Sequence, residues 1–389
     1  MTKYSNILFT FVLILFNSNC QAQNNVYNAT ANKELNNRFV MLLETPIDSV
    51  GFPRSMSVKT GVIKKVPSKD WTSGFYVGNL WQLYTLTNDS KYKESAEKWI
   101  PFLEIEKFNG GTHDMGFKIY CSFGKGYEIN HSEEYKKVII KSANTLCTRF
   151  NKKIGSIKSW DNRDKWDFPV IIDNMMNLEL LFETSKLTGD DSYRKIAIQH
   201  ANTTLKNHFR KDNSCYHVVG YDTITGKVKS KNTHQGYSDD SSWARGQSWA
   251  VYGFTMSYRY TKDKAYLKQA EATAQFFINH KNMPEDGIPY WDFNAPTIPN
   301  TTRDASAAAI MASALLELYG FTKKLDYLNY SNKVIRSLSS DKYVLNESVS
   351  GPFILDRTTG DWSKKAELDE PIIYADYYFL ESIIRKQSL

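Results

Sequence analysis

The sequence predicts an all-α protein, an (α/α)6 barrel of six inner and six outer helices, and three observations lead there. Five segments carry a tyrosine and, four residues later, a small or aliphatic residue: Tyr92/Ala96, Tyr135/Ile139, Tyr193/Ala197, Tyr266/Ala270 and Tyr327/Ser331. Each opens an amphipathic stretch with apolar residues at helical spacing, as in AYLKQAEATAQFF. Each also follows a second helix-like stretch and a short polar turn, as in LELLFETSKLTGDDSY, which pairs the helices antiparallel through tight loops. An open helical solenoid satisfies the same periodicity and is the alternative architecture.

Taken in order, residues 1–22 stand apart. Lys3 precedes the apolar run of residues 7–16, polar residues follow, and Cys20-Gln21-Ala22 ends the segment. This pattern reads as a signal peptide, too short for a spanning helix, so a periplasmic or secreted location is expected. Cys20 offers an alternative as a lipid-anchor cysteine, although Asn17-Ser18-Asn19 makes a poor lipobox. Residues 23–389 are expected to form one catalytic barrel domain, since no linker interrupts them. Outer helices with a charged face are expected to begin near residues 29, 91, 131, 191, 264 and 324. Inner helices, apolar nearly all round as in ASAAAIMASALLELYG, are expected near 73, 113, 171, 242, 301 and 371.

The segments entering the inner helices hold the unusual residues: DWTSGF, THDMGF, FPVIIDNMMN, HQGYSDDSSWARGQSW, TTRDAS and EPIIYADYYF. In a barrel they converge on one mouth, where function is to be sought. Asp173 lies among Pro169, Val170, Ile171, Ile172, Met175 and Met176, a setting that strips hydration from a carboxyl and suits a general acid. Asp114 lies between His113 and Met115-Gly116-Phe117. Either aspartate could instead cap a helix. Two acids on separate loops at one mouth are a glycosidase arrangement. Trp71, Trp243, Trp249, Trp291 and the tyrosines of YADYY offer flat faces for sugar rings, or core packing. Arg245, beside Gln247 and between Trp243 and Trp249, fits a carboxylate or sulfate, or a helix-end ion pair. Arg303-Asp304 reads as a cap or ion pair at the start of an alanine-rich helix.

Composition narrows the partners. A formal net charge of +7, one unit less without residues 1–22, favours acidic partners. The basic residues are scattered, which excludes nucleic acid as the expected partner. Cys121, Cys147 and Cys215 form no pairing or zinc spacing, and no phosphate-loop or dinucleotide fingerprint occurs. His217 and His234 are too isolated in sequence to suggest a metal site.

The blocks HDMGF, IIDNMMN, HQGYSDDSSWARGQSWAVYGF and RDASAAAI, in this order, resemble those of the unsaturated glucuronyl hydrolases, glycoside hydrolase family 88. The resemblance runs from DWTSGF to PIIYADYYFLE. It implies an (α/α)6 barrel, no metal or organic cofactor, and an acidic oligosaccharide partner whose terminal uronate carries a C4=C5 double bond. It further implies that this enol ether is hydrated, with Asp173 as general acid and Asp114 as partner carboxylate. By the same resemblance His217, Gln235, Arg245, Trp249 and Trp71 bind the unsaturated ring, with Thr233 and Trp243 nearby, and His113 is also expected to bind substrate. The segment GPFILDRTTGDWSKKAELDEP departs from the family pattern. Arg357, Thr359, Trp362 and Lys364 stand where the next sugar is met, which leaves that sugar open. The alternatives are an unsaturated rhamnogalacturonyl hydrolase, a catalytically silent sugar-binding protein, and an inverting glycosidase acting on saturated chains.

Overall fold

The computed structural model describes residues 33–161 and 165–389. The signal-peptide segment, Cys20 and the helix start expected near residue 29 lie outside the described residues.

Five outer helices begin within two residues of the expected positions, and a sixth is described from residue 33. They are α1 (Lys33–Leu43), α3 (Ser90–Trp99), α5 (Glu133–Cys147), α7 (Asp191–Asn207), α9 (Lys264–Ile278) and α11 (Leu325–Leu338). The inner layer is α2 (Ser73–Thr87), a π-helical stretch (Gly116–Gly124) running into α4 (Lys125–Asn130), α6 (Asn174–Thr188), α8 (Ala244–Thr261), α10 (Ala305–Thr322) and α12 (Ile373–Gln387). Each inner helix packs on the next, and α12 returns to α2. That closure makes the assembly a barrel and excludes the open solenoid. Several inner helices start two to four residues later than expected, and at α10 the reason is a cap. Asp304 accepts from the backbone N–H of Ser306 and Ala307.

The two layers differ as their sequences require. In α10 every residue from Ala305 to Leu316 is buried, whereas α9 buries one stripe, Tyr266, Ala270, Thr273, Ala274 and Phe277. α10 is long and apolar enough to cross a membrane, but here that apolarity faces neighbouring helices. The tyrosine repeat has a structural purpose. Tyr193 of α7 donates to Asn144 of α5, Tyr266 of α9 to Asn202 of α7, and Tyr327 of α11 to Glu271 of α9. In three of the five repeats a tyrosine hydroxyl thus ties an outer helix to its predecessor.

The mouth also carries strands that the helical periodicity does not announce. Four antiparallel sheets are formed among the described residues: β1 (Phe52–Met56) with β2 (Ile63–Val66), β3 (Phe150–Asn151) with β4 (Ser156–Ile157), β5 (Phe168–Ile171) with β6 (Val218–Tyr221) and β7 (Val228–Asn232), and β8 (Thr358–Asp361) with β9 (Ala366–Glu370), and residues of β1, β2, β5, β8 and β9 reach the cavity at the mouth. These strands run two to five residues, too short to print a period-two pattern. The pairing of β5 with β6 joins segments about fifty residues apart.

Candidate active site at the barrel mouth

A cavity of 330 Å³ opens at the N-terminal ends of the inner helices. Strand β5 delivers the acid at its floor. Its register sets Ile171 opposite Val218, and the Ile172 N–H donates to the carbonyl of His217 at 3.0 Å. The next residue, Asp173, is therefore brought beside His217, with Asp173 Oδ2 3.6 Å from His217 Nε2. Asp173 occupies the N-cap position of α6, yet its side chain makes no capping bond. Its Oδ2 is buried and lacks a hydrogen-bond partner among the described residues. Burial raises its pKa to about 7; Arg245 opposes the rise and Asp114 adds to it.

The histidine beside it has a determined tautomer. Nδ1 of His217 accepts the backbone N–H of His234 and of Gln235, both at 3.2 Å. Its proton therefore resides on Nε2, facing Asp173. Burial holds His217 well below its ordinary pKa, so it stays neutral.

Asp114 approaches from the π-helical side. Its Oδ2 accepts from the Thr112 hydroxyl at 2.7 Å, and its Oδ1 lies 3.2 Å from Nε2 of the buried His113. A glycine permits this approach: a Cβ on Gly116 would lie 2.6 Å from the Cα of Asn177 in α6. Asn177 in turn accepts from the Phe117 N–H at 3.0 Å. The stretch carrying Asp114 is thus pressed against the helix that Asp173 opens, and π-helical turns often mark such sites.

Arg245 realises both readings of it at once. It lines the cavity, 4.6 Å above the Trp243 ring and 5.3 Å from that of Tyr374. Its Nη1 also donates to Asp304 and to the Thr359 carbonyl, and its Nη2 to the Gly360 carbonyl, each at 2.7 Å. Asp304 both caps α10 and neutralises this arginine.

Of the residues expected at the site, Trp71, His113, Asp114, Asp173, Gln235 and Arg245 line the cavity. Others sit one layer back. His217 stacks on Trp243 at 4.4 Å. Trp249 is fully buried beside Asp173, its ring 5.3 Å from that of Phe117. Thr233, Arg357 and Thr359 stand outside the cavity lining. The Thr233 hydroxyl accepts from the Gly236 N–H, and that of Thr359 donates to the Arg303 carbonyl and bonds the Thr302 hydroxyl, so both help to shape the loops. Arg357 has φ of 60°, and its carbonyl accepts from the first residue of α10.

Other lining residues escaped the sequence. Trp160 reaches the mouth because its backbone bridges to Thr112, next to Asp114. Arg54 and Lys64 come from the β1–β2 hairpin and bind Glu367 of β9 at 2.7 and 3.0 Å, bolting two hairpins across the rim. Lys364 and Asp361 pair on the other side at 2.5 Å. A tryptophan and a lysine pair in the segments flanking predicted helices were the available signals, but neither is distinctive alone. The cavity wall holds four basic and four acidic side chains. With Asp173 protonated, the balance is one positive charge, which suits an anionic sugar.

Known proteins share this fold. The model of Glycosyl Hydrolase Family 88 matches residues 53–280. An unsaturated glucuronyl hydrolase of Formosa agariphila is 54% identical over 100% of this chain and 99% of its own length. The crystal structure of an unsaturated glucuronyl hydrolase specific for heparin superposes with a TM-score of 0.87 at 42% identity, covering 91% of this chain and 95% of that one. A Streptococcus agalactiae unsaturated glucuronyl hydrolase mutant complexed with dGlcA-GalNAc6S superposes with a TM-score of 0.78 at 30% identity, over 93% of each chain. The closed double ring of helices, the acid-bearing mouth and these relationships together show that this chain belongs to glycosyl hydrolase family 88 and is a glycosidase of the unsaturated glucuronyl hydrolase type.

Proposed function

We propose that the chain releases the terminal 4,5-unsaturated uronate of acidic oligosaccharides by hydrating its enol ether, with Asp173 as proton donor and Asp114 as assisting carboxylate. The observation that carries this reading is the Asp173 carboxyl. It is buried at the cavity floor with a pKa near 7, so much of it holds a proton at neutral pH. Protonation of C4 moves the double-bond electrons and leaves an oxocarbenium ion at C5 and the ring oxygen. The ionised Asp173 then takes a proton from water as its oxygen bonds to C5. The resulting hemiketal opens at the C5–ring-oxygen bond to a 5-ketone, and the hemiacetal freed at C1 expels the remaining chain. Neutral His217 presents Nε2–H beside Asp173 and supports its ionised form in the second half of the reaction. Lys64 and Lys364 at the rim support acceptance of a further anionic group on the adjoining sugar.

The test is isotopic. Lyase-generated oligosaccharides should lose the ultraviolet absorbance of their conjugated double bond, while saturated uronides stay intact. Deuterated water should place deuterium at C4, and oxygen-labelled water should place its oxygen at C5. Solvent oxygen at C1 without deuterium at C4 would instead mean ordinary glycosidic hydrolysis.

We also infer export, supported by Lys3 and the apolar run of residues 7–16. Sequencing of the mature protein should find Gln23 first. A lipid-modified Cys20 would replace release by anchoring, and a retained Met1 would overturn export.

A further inference from the structure

A second cavity, of 570 Å³, opens at the opposite end of the barrel, where the inner helices finish. All six inner helices contribute to it, with Gln82, Glu128, Glu179, Arg259, Glu317 and Glu381 as examples. An aromatic plate separates it from the mouth: Phe75 and Phe117 lie 5.4 Å apart, Phe117 and Trp249 5.3 Å, and Trp249 and Tyr378 5.3 Å. The two cavities therefore need different explanations.

Charge selects the occupant. Five glutamates and three basic side chains line the space. The bases are already committed: Arg259 to Glu317 at 2.6 Å and Glu179 at 2.5 Å, Arg385 to Glu317 at 3.0 Å, and Lys125 to Glu128 at 3.1 Å. Helix C-termini converge here, and their carbonyl ends add negative potential. An anion is thus disfavoured and a cation favoured. Much of the remaining wall is apolar, including Trp81, Leu316, Phe321 and Ile384. A second, independent observation comes from Gln82, which lines the cavity at 3% exposure. Neither its amide oxygen nor its amide nitrogen has a hydrogen-bond partner among the described residues, and the indole N–H of its neighbour Trp81 is in the same position. Buried amides of this kind normally find partners.

We propose that this cavity binds a small organic amine, its ammonium group among the glutamates and its apolar body along Trp81 and Leu316, with the Gln82 amide turned to meet it. The site is separate from catalysis, and its occupant ties the inner helices together at their C-terminal ends.

The full-length protein should be titrated by calorimetry and melted with 2-phenylethylamine, using 3-phenylpropionate and 2-phenylethanol as the anionic and neutral counterparts. The amine should bind saturably and raise the melting temperature, and the other two should do neither. Glu183→Gln, which removes a lining carboxylate that bonds Lys186 and the Tyr260 hydroxyl and makes no ion pair with Arg259, should weaken amine binding at least fivefold and leave hydrolysis unchanged. Gln82→Leu should weaken it as well. Equal binding of all three probes would overturn the proposal, as would no binding, amine binding insensitive to both substitutions, or competition with the unsaturated substrate.

Discussion

Buried carboxylates stand at both ends of this barrel, and they behave in opposite ways. At the mouth, burial pushes Asp173 up to about 7, because Arg245 is already engaged by Asp304 and opposes the rise incompletely. At the opposite end, burial also acts to raise Glu317, but Arg259 and Arg385 more than reverse it and bring the group down to about 2. Arg259 supplies two bonds to Glu317, at 2.6 and 2.8 Å, and Arg385 supplies a contact at 3.0 Å. Depth in the protein is similar; pairing differs. A carboxyl buried without a dedicated cation becomes a usable acid, whereas one held by two cations becomes a clamp between helices. The same physics assigns chemistry to the mouth and cohesion to the far end.

The largest effect should come from Asp173→Asn. It keeps the shape, removes the transferable proton, and should lower turnover by ~10²–10⁴-fold, which kinetics on an unsaturated disaccharide will measure. Stability should move the other way. The folded pKa of Asp173 lies above its ordinary value of 3.8, so its favourable contribution is complete below that value and is lost as pH rises through about 7. The variant should therefore gain on the wild type between pH 4 and 8, by up to about 4 kcal/mol, read from urea midpoints. A variant with near-wild-type turnover would remove the contrast between the two ends.

Asp114→Asn should lower turnover by about 10²-fold, the lower end of the general acid–base range, while product mimics still bind. If turnover holds and melting alone changes, Asp114 is structural and the acid pair at the mouth reduces to one.

Glu317→Gln tests the other end. It should cost roughly 2–3 kcal/mol of stability, somewhat less than the 3–5 of a fully enclosed pair, and leave turnover per folded molecule unchanged. Because the folded pKa is depressed, Glu317 stabilises above pH 4.5 and loses its contribution as pH falls through about 2. The gap between wild type and variant should accordingly close on acidification.

The pH profile gives a smaller effect. As Asp173 loses its proton above about 7, turnover should fall by about tenfold per pH unit. Smallest of all is Lys64→Ala. Its side chain is half exposed and paired with Glu367, so the variant should raise KM by roughly two- to fivefold, an effect worth under ~1 kcal/mol and weakened by added salt.

The helical layers were legible because each repeat writes its own periodicity. The stripe on α9 and the unbroken apolar α10 separate outer from inner without any structure. Asp173 was legible for a related reason, since its apolar neighbours in sequence are also its neighbours in space. Trp160 and Arg54 were not, because what brings them to the mouth is a backbone bridge to Thr112 and an ion pair with Glu367, both distant along the chain. Arg245 was half legible: its aromatic setting could be read, but its engagement by Asp304 could not.

By itself, then, the sequence determined the alternation of buried and half-buried helices, the turns between them and the two acids at the helix entrances, because these rest on local spacing and local polarity. The tertiary structure decided the closure of α12 on α2, the short strands that set Asp173 beside His217, the tautomer of that histidine, and which carboxylates face a cation. Each of these is a contact between distant segments. Its energy depends on distance and desolvation in three dimensions, and the order of residues along the chain does not record them.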